Sequence, residues 1–201
     1  MALKTVTKLF GVDDAKLFPV LTDTEDEFTC GDGIDLPGVR QISLTYEIEE
    51  KNLTGDEKVL DVSNKIKSIT FNMEYAKLSL EVLAQLTGGS YSKTGTGDDE
   101  VGKFTFGGGD LPNYFQLKAQ ILDTSNDGGD VHFCIYKAKA TAIPINGTQD
   151  DFATFTFDGR GVYTEHEFTT GSSKQTKLLD MDKKTLSVED LQPGTKVKVT
   201  L

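Results

Sequence analysis

One stretch, LTGDEKVLDVSNKIKSITFNMEYAKLSLEVLAQLTGG at residues 53–89, constrains the fold more than any other. It runs from a charged polar segment into a period-two pattern, then into a helical pattern, and stops at two glycines. Ile69, Phe71, Met73 and Tyr75 alternate with Thr70, Asn72 and Glu74, as in a strand with one face in a core and the other in water. Ser79 then stands at an N-cap position, and Leu78 and Leu83 have the spacing of a hydrophobic staple. Leu80, Val82, Leu83, Ala84 and Leu86 are apolar, Glu81 and Gln85 form the exposed face, and Gly88 or Gly89 supplies a left-handed C-cap. So short a helix does not hold alone in water. The pattern therefore requires a sheet for the helix to lie on.

The flanking sequence supplies strands. From Ile42 to Glu49 apolar residues alternate strictly with Ser43, Thr45, Glu47 and Glu49, so Gly38–Glu50 reads as a half-buried strand. Residues 50–62 break the pattern with Asn52, Gly55, Asp56 and Asp61. A hairpin is expected here with a tip of about a dozen residues, well beyond the usual 2–5. Further on, Lys103–Phe106 reads as a short strand and Tyr114–Leu122 alternates. Val131–Ile143 is the longest predicted strand, with Val131, Phe133 and Ile135 on one face and Cys134, Tyr136, Ala138, Ala140 and Ala142 on the other. Phe152–Tyr163 is a further strand. Ser90–Gly102 reads as a loop, Thr169–Gln175 as a polar linker, and Asp13–Asp35 as a long excursion with little regular structure. Ala2–Phe10 fits a short strand or an arm, and Lys196–Leu201 a final strand after a Pro193-Gly194 turn. Six or seven strands joined mostly by turns, with one helix, give a mainly β fold: an antiparallel sandwich or barrel with one short flanking helix and long loops. The expected organisation is an N-terminal arm or extended region at 1–36, a β domain at 37–168, and a linker with a C-terminal arm or strand at 169–201.

Chemistry is sparse. A net charge of -11 argues against nucleic-acid binding and against attachment to an anionic membrane, and leaves solubility, or a surface that stays near DNA without sticking to it. The opening MALKTVTKLFGVDD lacks an apolar core like that of a signal peptide, and no run reaches membrane-spanning length, so a cytoplasmic location is expected. Cys30 and Cys134 form no CxxC pair, and Cys134 is expected to be a small buried hydrophobe. His132 and His166 stand apart from any triad or metal pattern, and the run Thr164-Glu165-His166-Glu167 reads as a solvated strand face. Asp123, Ser125, Asp127 and Gly128 match positions 1, 3, 5 and 6 of a calcium loop, but Cys134 occupies position 12, so Asp123–Asp130 reads as a hairpin turn. Gly95-Thr96-Gly97 and Gly107–Gly109 match no phosphate-binding pattern, and Asp98 and Asp99 sit in a loop where nothing would perturb them for acid–base work. No enzyme activity, metal or cofactor is expected.

The succession is Gly38-Val39 with its alternating strand, LTGDEKVL at 53–60, a second alternating strand, LSLEVLA at 78–84 and Thr87-Gly88-Gly89. Together with DGGDVH at 127–132, IYKAKA at 135–140, and Phe152-Ala153-Thr154-Phe155 followed by Gly159, it resembles the major tail protein, or tail tube protein, of long-tailed non-contractile bacteriophages. The likeness covers roughly residues 36–162. It implies two packed antiparallel sheets flanked by one helix, and homo-hexameric rings that stack into a hollow tube. DNA would pass through the lumen without specific binding. Tape-measure, tail-completion and tail-tip proteins would be partners, and the protein would reside in the virion tail after assembly in the bacterial cytoplasm. It implies an inter-ring loop at Leu53, Thr54, Gly55, Asp56, Glu57 and Lys58. An acidic lumen would draw on Glu47, Glu49 and Glu74. The tube protein of a contractile secretion system and a soluble β-sandwich binding module, for instance for carbohydrate, are the other two readings.

Overall fold

The computed structural model describes residues 9–55, 58–123, 130–145, 154–170 and 173–184. The first strands are β1 (Leu9–Asp23), β2 (Phe28–Cys30), β3 (Ile34–Asp35), β4 (Val39–Gly55) and β5 (Lys58–Tyr75), followed by α1 (Leu80–Thr87). Next come β6 (Ser90–Thr94), β7 (Val101–Thr105), β8 (Phe115–Asp123), β9 (Asp130–Ala142) and β10 (Phe155–Val162). The last are β11 (Glu167–Thr170), β12 (Ser173–Thr176) and β13 (Leu179–Lys184). Among the described residues nine strands share one sheet in the order β2-β1-β8-β9-β10-β5-β4, with β3 beside β1 and β13 beside β9. Every pairing described is antiparallel. β10 takes Lys137–Ala142 of β9, and β13 takes Asp130–Ile135. The fold is thus mainly β, with antiparallel sheets and one short helix.

The sheet curls until β1 packs against β4, and its inner face holds the core. Ile69, Phe71, Met73 and Tyr75 are all buried, as the alternation requires. Phe157 sits at the centre, with the rings of Phe71, Tyr75 and Phe115 around it at 6.0–6.3 Å, mostly edge to face. Helix α1 closes the core with Val82 and Leu86. Its ends follow the sequence reading: Ser79 Oγ accepts the Val82 N–H, and Gly88, at φ 81°, donates its N–H to the Ala84 carbonyl at 2.8 Å.

Several segments are more regular than their sequence suggests. Residues 13–35, expected to be irregular, contain most of β1, which pairs with β8 from Leu9 to Pro19 and buries Ala15, Leu17 and Phe18. Two register shifts near its start break the period that would have marked it as a strand. Ser90–Gly102 is no loop: β6 and β7 form a hairpin, with the turn eased by the positive φ of Gly95 and Gly97. The polar linker at 169–175 lies largely in the β11–β12 hairpin. Within 177–201, β13 is a strand of the main sheet. Along β9 the faces switch: Phe133 and Ile135 share the core with Ala138 and Ala140, against the expected division. The cause is a bulge, since Leu117 faces Ile135 but Phe115 faces Ala138. Cys134 is half-buried as a residue, with its thiol covered.

The outer face of β9 carries a second, smaller cluster. Phe28, Tyr136 and Phe168 pack at 4.9–6.2 Å, fastening the β11–β12 hairpin over the sheet. The His166 ring lies edge-on to Phe168 at 4.8 Å, with Nδ1 3.1 Å from the Glu25 carbonyl oxygen.

Candidate assembly surface

In the β4–β5 hairpin, residues 48–54 and 60–67 are exposed throughout. β10 covers β5 only as far as Ile69, whereas the β4–β5 ladder runs on to Gly55 opposite Lys58. Residues 50–62, expected as an overlong loop, are therefore mostly paired backbone. The pattern breaks because this part of the hairpin has no core to face: without a buried side nothing selects alternation. Asp56 and Glu57 lie outside the described residues. Bulges interrupt the ladder between Glu47 and Ile48 and between Leu53 and Thr54.

Beyond Ser68 the hairpin is a two-stranded ribbon, an arrangement that is marginal in water by itself. It nonetheless carries large apolar side chains in the open. Ile48 faces Ile66 across the ladder, and Val62 and Leu53 are exposed, as is Leu60 at the second bulge. Among the described residues β4 pairs with β5 alone, so its other edge offers unpaired backbone groups.

The three candidate lumen acids fall on one face. Register places Glu47, Glu49 and Glu74 on the outer side of the hairpin, opposite the core-facing Phe71 and Met73. Each has a basic neighbour: Glu47 pairs with Arg160, Glu49 with Lys51 at 3.4 Å, and Glu74 with Arg40 at 3.5 Å. The Ser68 hydroxyl, at 2.5 Å, and Arg160 both hold the Glu47 carboxyl below its ordinary range. The face is therefore one of paired charges, not of bare carboxylates.

A cleft of ≈ 560 Å³ opens elsewhere, between the end of β1, the approach to β8 and the middle of β9. At one side Asp23 accepts the Lys137 ammonium at 2.6 Å, and Glu165 approaches the same ammonium at 3.6 Å. Asp23 also accepts the backbone N–H groups of Glu165 and His166 at 3.0 Å. The Asp23 and Lys137 side chains are only 5% and 10% exposed. Burial by itself would raise the Asp23 carboxyl, but Lys137 and the two N–H donors outweigh it and hold it below the usual carboxylate value. Lys139, on the same strand, lays its ammonium 4.4 Å from the Tyr114 ring centre. This arrangement was not anticipated from sequence. A lysine in an apolar strand was the one available signal; its partner lies 114 residues away.

The remaining sequence candidates stay apart. Asp130 accepts the Asp123 N–H at 3.0 Å and the Gln120 amide at 2.6 Å, tying off β8 and β9; residues 124–129 of the predicted hairpin turn lie outside the described residues. So do Phe152, the segment 187–191 and the predicted strand Lys196–Leu201. Among the described residues no three His, Cys, Asp or Glu side chains are grouped to hold a metal ion, and no helix is long and apolar enough to cross a membrane. No protein-family model and no curated protein sequence matches the chain.

Proposed function

We propose that this protein is a structural, non-catalytic subunit of the tail-tube type. It assembles into hexameric rings that stack into a hollow tube for the passage of phage DNA, in a virion tail built in the bacterial cytoplasm. The observation that carries the reading is the β4–β5 ribbon. It extends past the sheet that supports it and exposes Ile48, Leu53, Leu60 and Val62, with a free strand edge along β4. An exposed apolar ribbon with an open edge is a liability in a monomer and an asset in a polymer. The likeness of residues 36–162 to tail tube proteins supports the same reading, and the inter-ring contact falls to Leu53–Lys58. In such a tube the outer face of the hairpin, with Glu47, Glu49 and Glu74, would line the bore. Tape-measure, completion and tip proteins would be the further partners.

Sedimentation velocity and negative-stain electron microscopy of the purified protein test this. Ring stacks or tubes are expected at high concentration. A strict monomer at millimolar concentration would refute the reading, and would favour the β-sandwich binding module. Residues 53–58 deleted as a block should leave a folded subunit that grows no tubes.

A further inference from the structure

The most exposed apolar side chains fall in two pairs. Among the described residues the four most exposed large ones are Leu111 at 74%, Leu21 at 69%, Leu60 at 65% and Leu53 at 62%. Leu21 and Leu111 flank the cleft that holds Lys137 and Lys139. Leu53 and Leu60 stand at the end of the β4–β5 ribbon, where Leu53 faces Asp61 across the ladder.

Charge divides the same way. In the cleft Lys137 is already neutralised by Asp23, so the uncompensated cation is Lys139. Among the described residues no carboxylate lies within 4.0 Å of its ammonium. The ribbon is acidic: residues 47–66 hold Glu47, Glu49, Glu50, Asp56, Glu57 and Asp61 against Lys51, Lys58 and Lys65. One surface thus joins two leucines to a cation, and the other joins two leucines to a carboxylate.

We propose that the cleft is the receptor for the hairpin tip of a second copy. Leu53 and Leu60 enter between Leu21 and Leu111, and the Asp61 carboxylate meets the Lys139 ammonium against the Tyr114 ring. The inference rests on the self-assembly reading and deepens it by naming the acceptor. A contact between two different patches of the same chain is head to tail, so it does not saturate in a dimer and can propagate. Cation–π support from Tyr114 holds Lys139 in place before the partner arrives, which reduces the ordering cost of docking.

A charge swap tests it. K139E and D61K, each checked for wild-type melting by circular dichroism, should each raise the concentration needed for assembly by at least about tenfold, because like charges then meet in the contact. An equimolar mixture should assemble at the wild-type concentration, since each variant supplies the complement of the other at both ends. A second probe mixes L53C with L111C under mild oxidation. A dimer-mass band is expected on a non-reducing gel from the mixture, and none from either variant alone. The inference is overturned if wild type assembles while K139E does so at the same concentration, if the mixture fails to recover, or if no cross-link forms. A wild-type chain that stays monomeric overturns the assembly reading itself, a separately readable result.

Discussion

Replacing Asp23 with alanine should be among the most damaging single changes outside the apolar core. The carboxylate holds three donors: the Lys137 ammonium at 2.6 Å and the backbone N–H groups of Glu165 and His166 at 3.0 Å. These come from β9 and from the segment after β10, so one group ties three parts of the chain. With side chains 5% and 10% exposed, the pair counts as buried, and removing one partner of a buried pair costs about 3–5 kcal/mol, because the other charge is left desolvated. For a domain of this size each kcal/mol moves Tm by about 2–4 °C, so D23A should melt roughly 6–20 °C below wild type. Calorimetry or urea denaturation at pH 7 measures this. D23A/K137M should recover part of the loss, because the stranded cation goes with its partner. The pH dependence has a definite sign. The folded Asp23 carboxyl lies below its ordinary value of 3.8, so its contribution is complete above that pH and is lost as pH falls through the lower folded value. The gap between wild type and D23A should stay constant from about pH 5 to 8 and shrink in stronger acid. A D23A protein within about 1 kcal/mol of wild type, or a double variant worse than the sum of its parts, would refute the argument.

Two further substitutions and the reactivity of the cysteines follow from the same packing. At Gly88 an added Cβ would lie 1.9 Å from the Leu111 carbonyl oxygen at a positive φ, so G88A should cost about 1–3 kcal/mol in denaturant titration and displace the cleft rim. Phe157, fully enclosed by three rings, should cost about 3–5 kcal/mol on truncation to alanine, measured by urea unfolding. Burial pushes the Cys30 thiol up to about 11 and the Cys134 thiol up to about 12, so both should resist iodoacetamide at pH 8 until the chain unfolds, as followed by mass spectrometry.

What the sequence discloses follows from how local each cause is. β5 and α1 were legible because alternation, an N-cap and a glycine stop act within a few residues, and the chain obeys them at Ile69–Tyr75, Ser79 and Gly88. β1 was hidden by its acids, which serve purposes invisible from neighbouring residues. Asp14 accepts its own neighbour's N–H at 2.8 Å, and Asp23 waits for a lysine on β9. The β9 bulge was hidden for a related reason: shifting register by one residue moves every later side chain to the other face. The ribbon reads as a loop in sequence because alternation reports a buried face, and cross-strand pairing alone leaves no such trace. Alternation puts Glu47, Glu49 and Glu74 on the polar faces of their strands, but their partners Arg160, Lys51 and Arg40 come from pairings that a local pattern does not carry.

The same distribution bears on why exposed leucines can persist here. Burying each would stabilise the subunit by about 1.5–3 kcal/mol, and the inner face of the sheet already shows that this chain encloses such residues where it can. Leaving Leu21, Leu53, Leu60 and Leu111 outside therefore forgoes stability the fold could have had. A net charge of -11 offsets the resulting tendency to collapse at random, since encounters between copies in arbitrary orientations bring like charge together. In the proposed contact the acidic ribbon would instead meet Lys139, which has no carboxylate within 4.0 Å among the described residues. Repulsion elsewhere and attraction there would favour one orientation in that contact, which is what would separate ordered growth from aggregation.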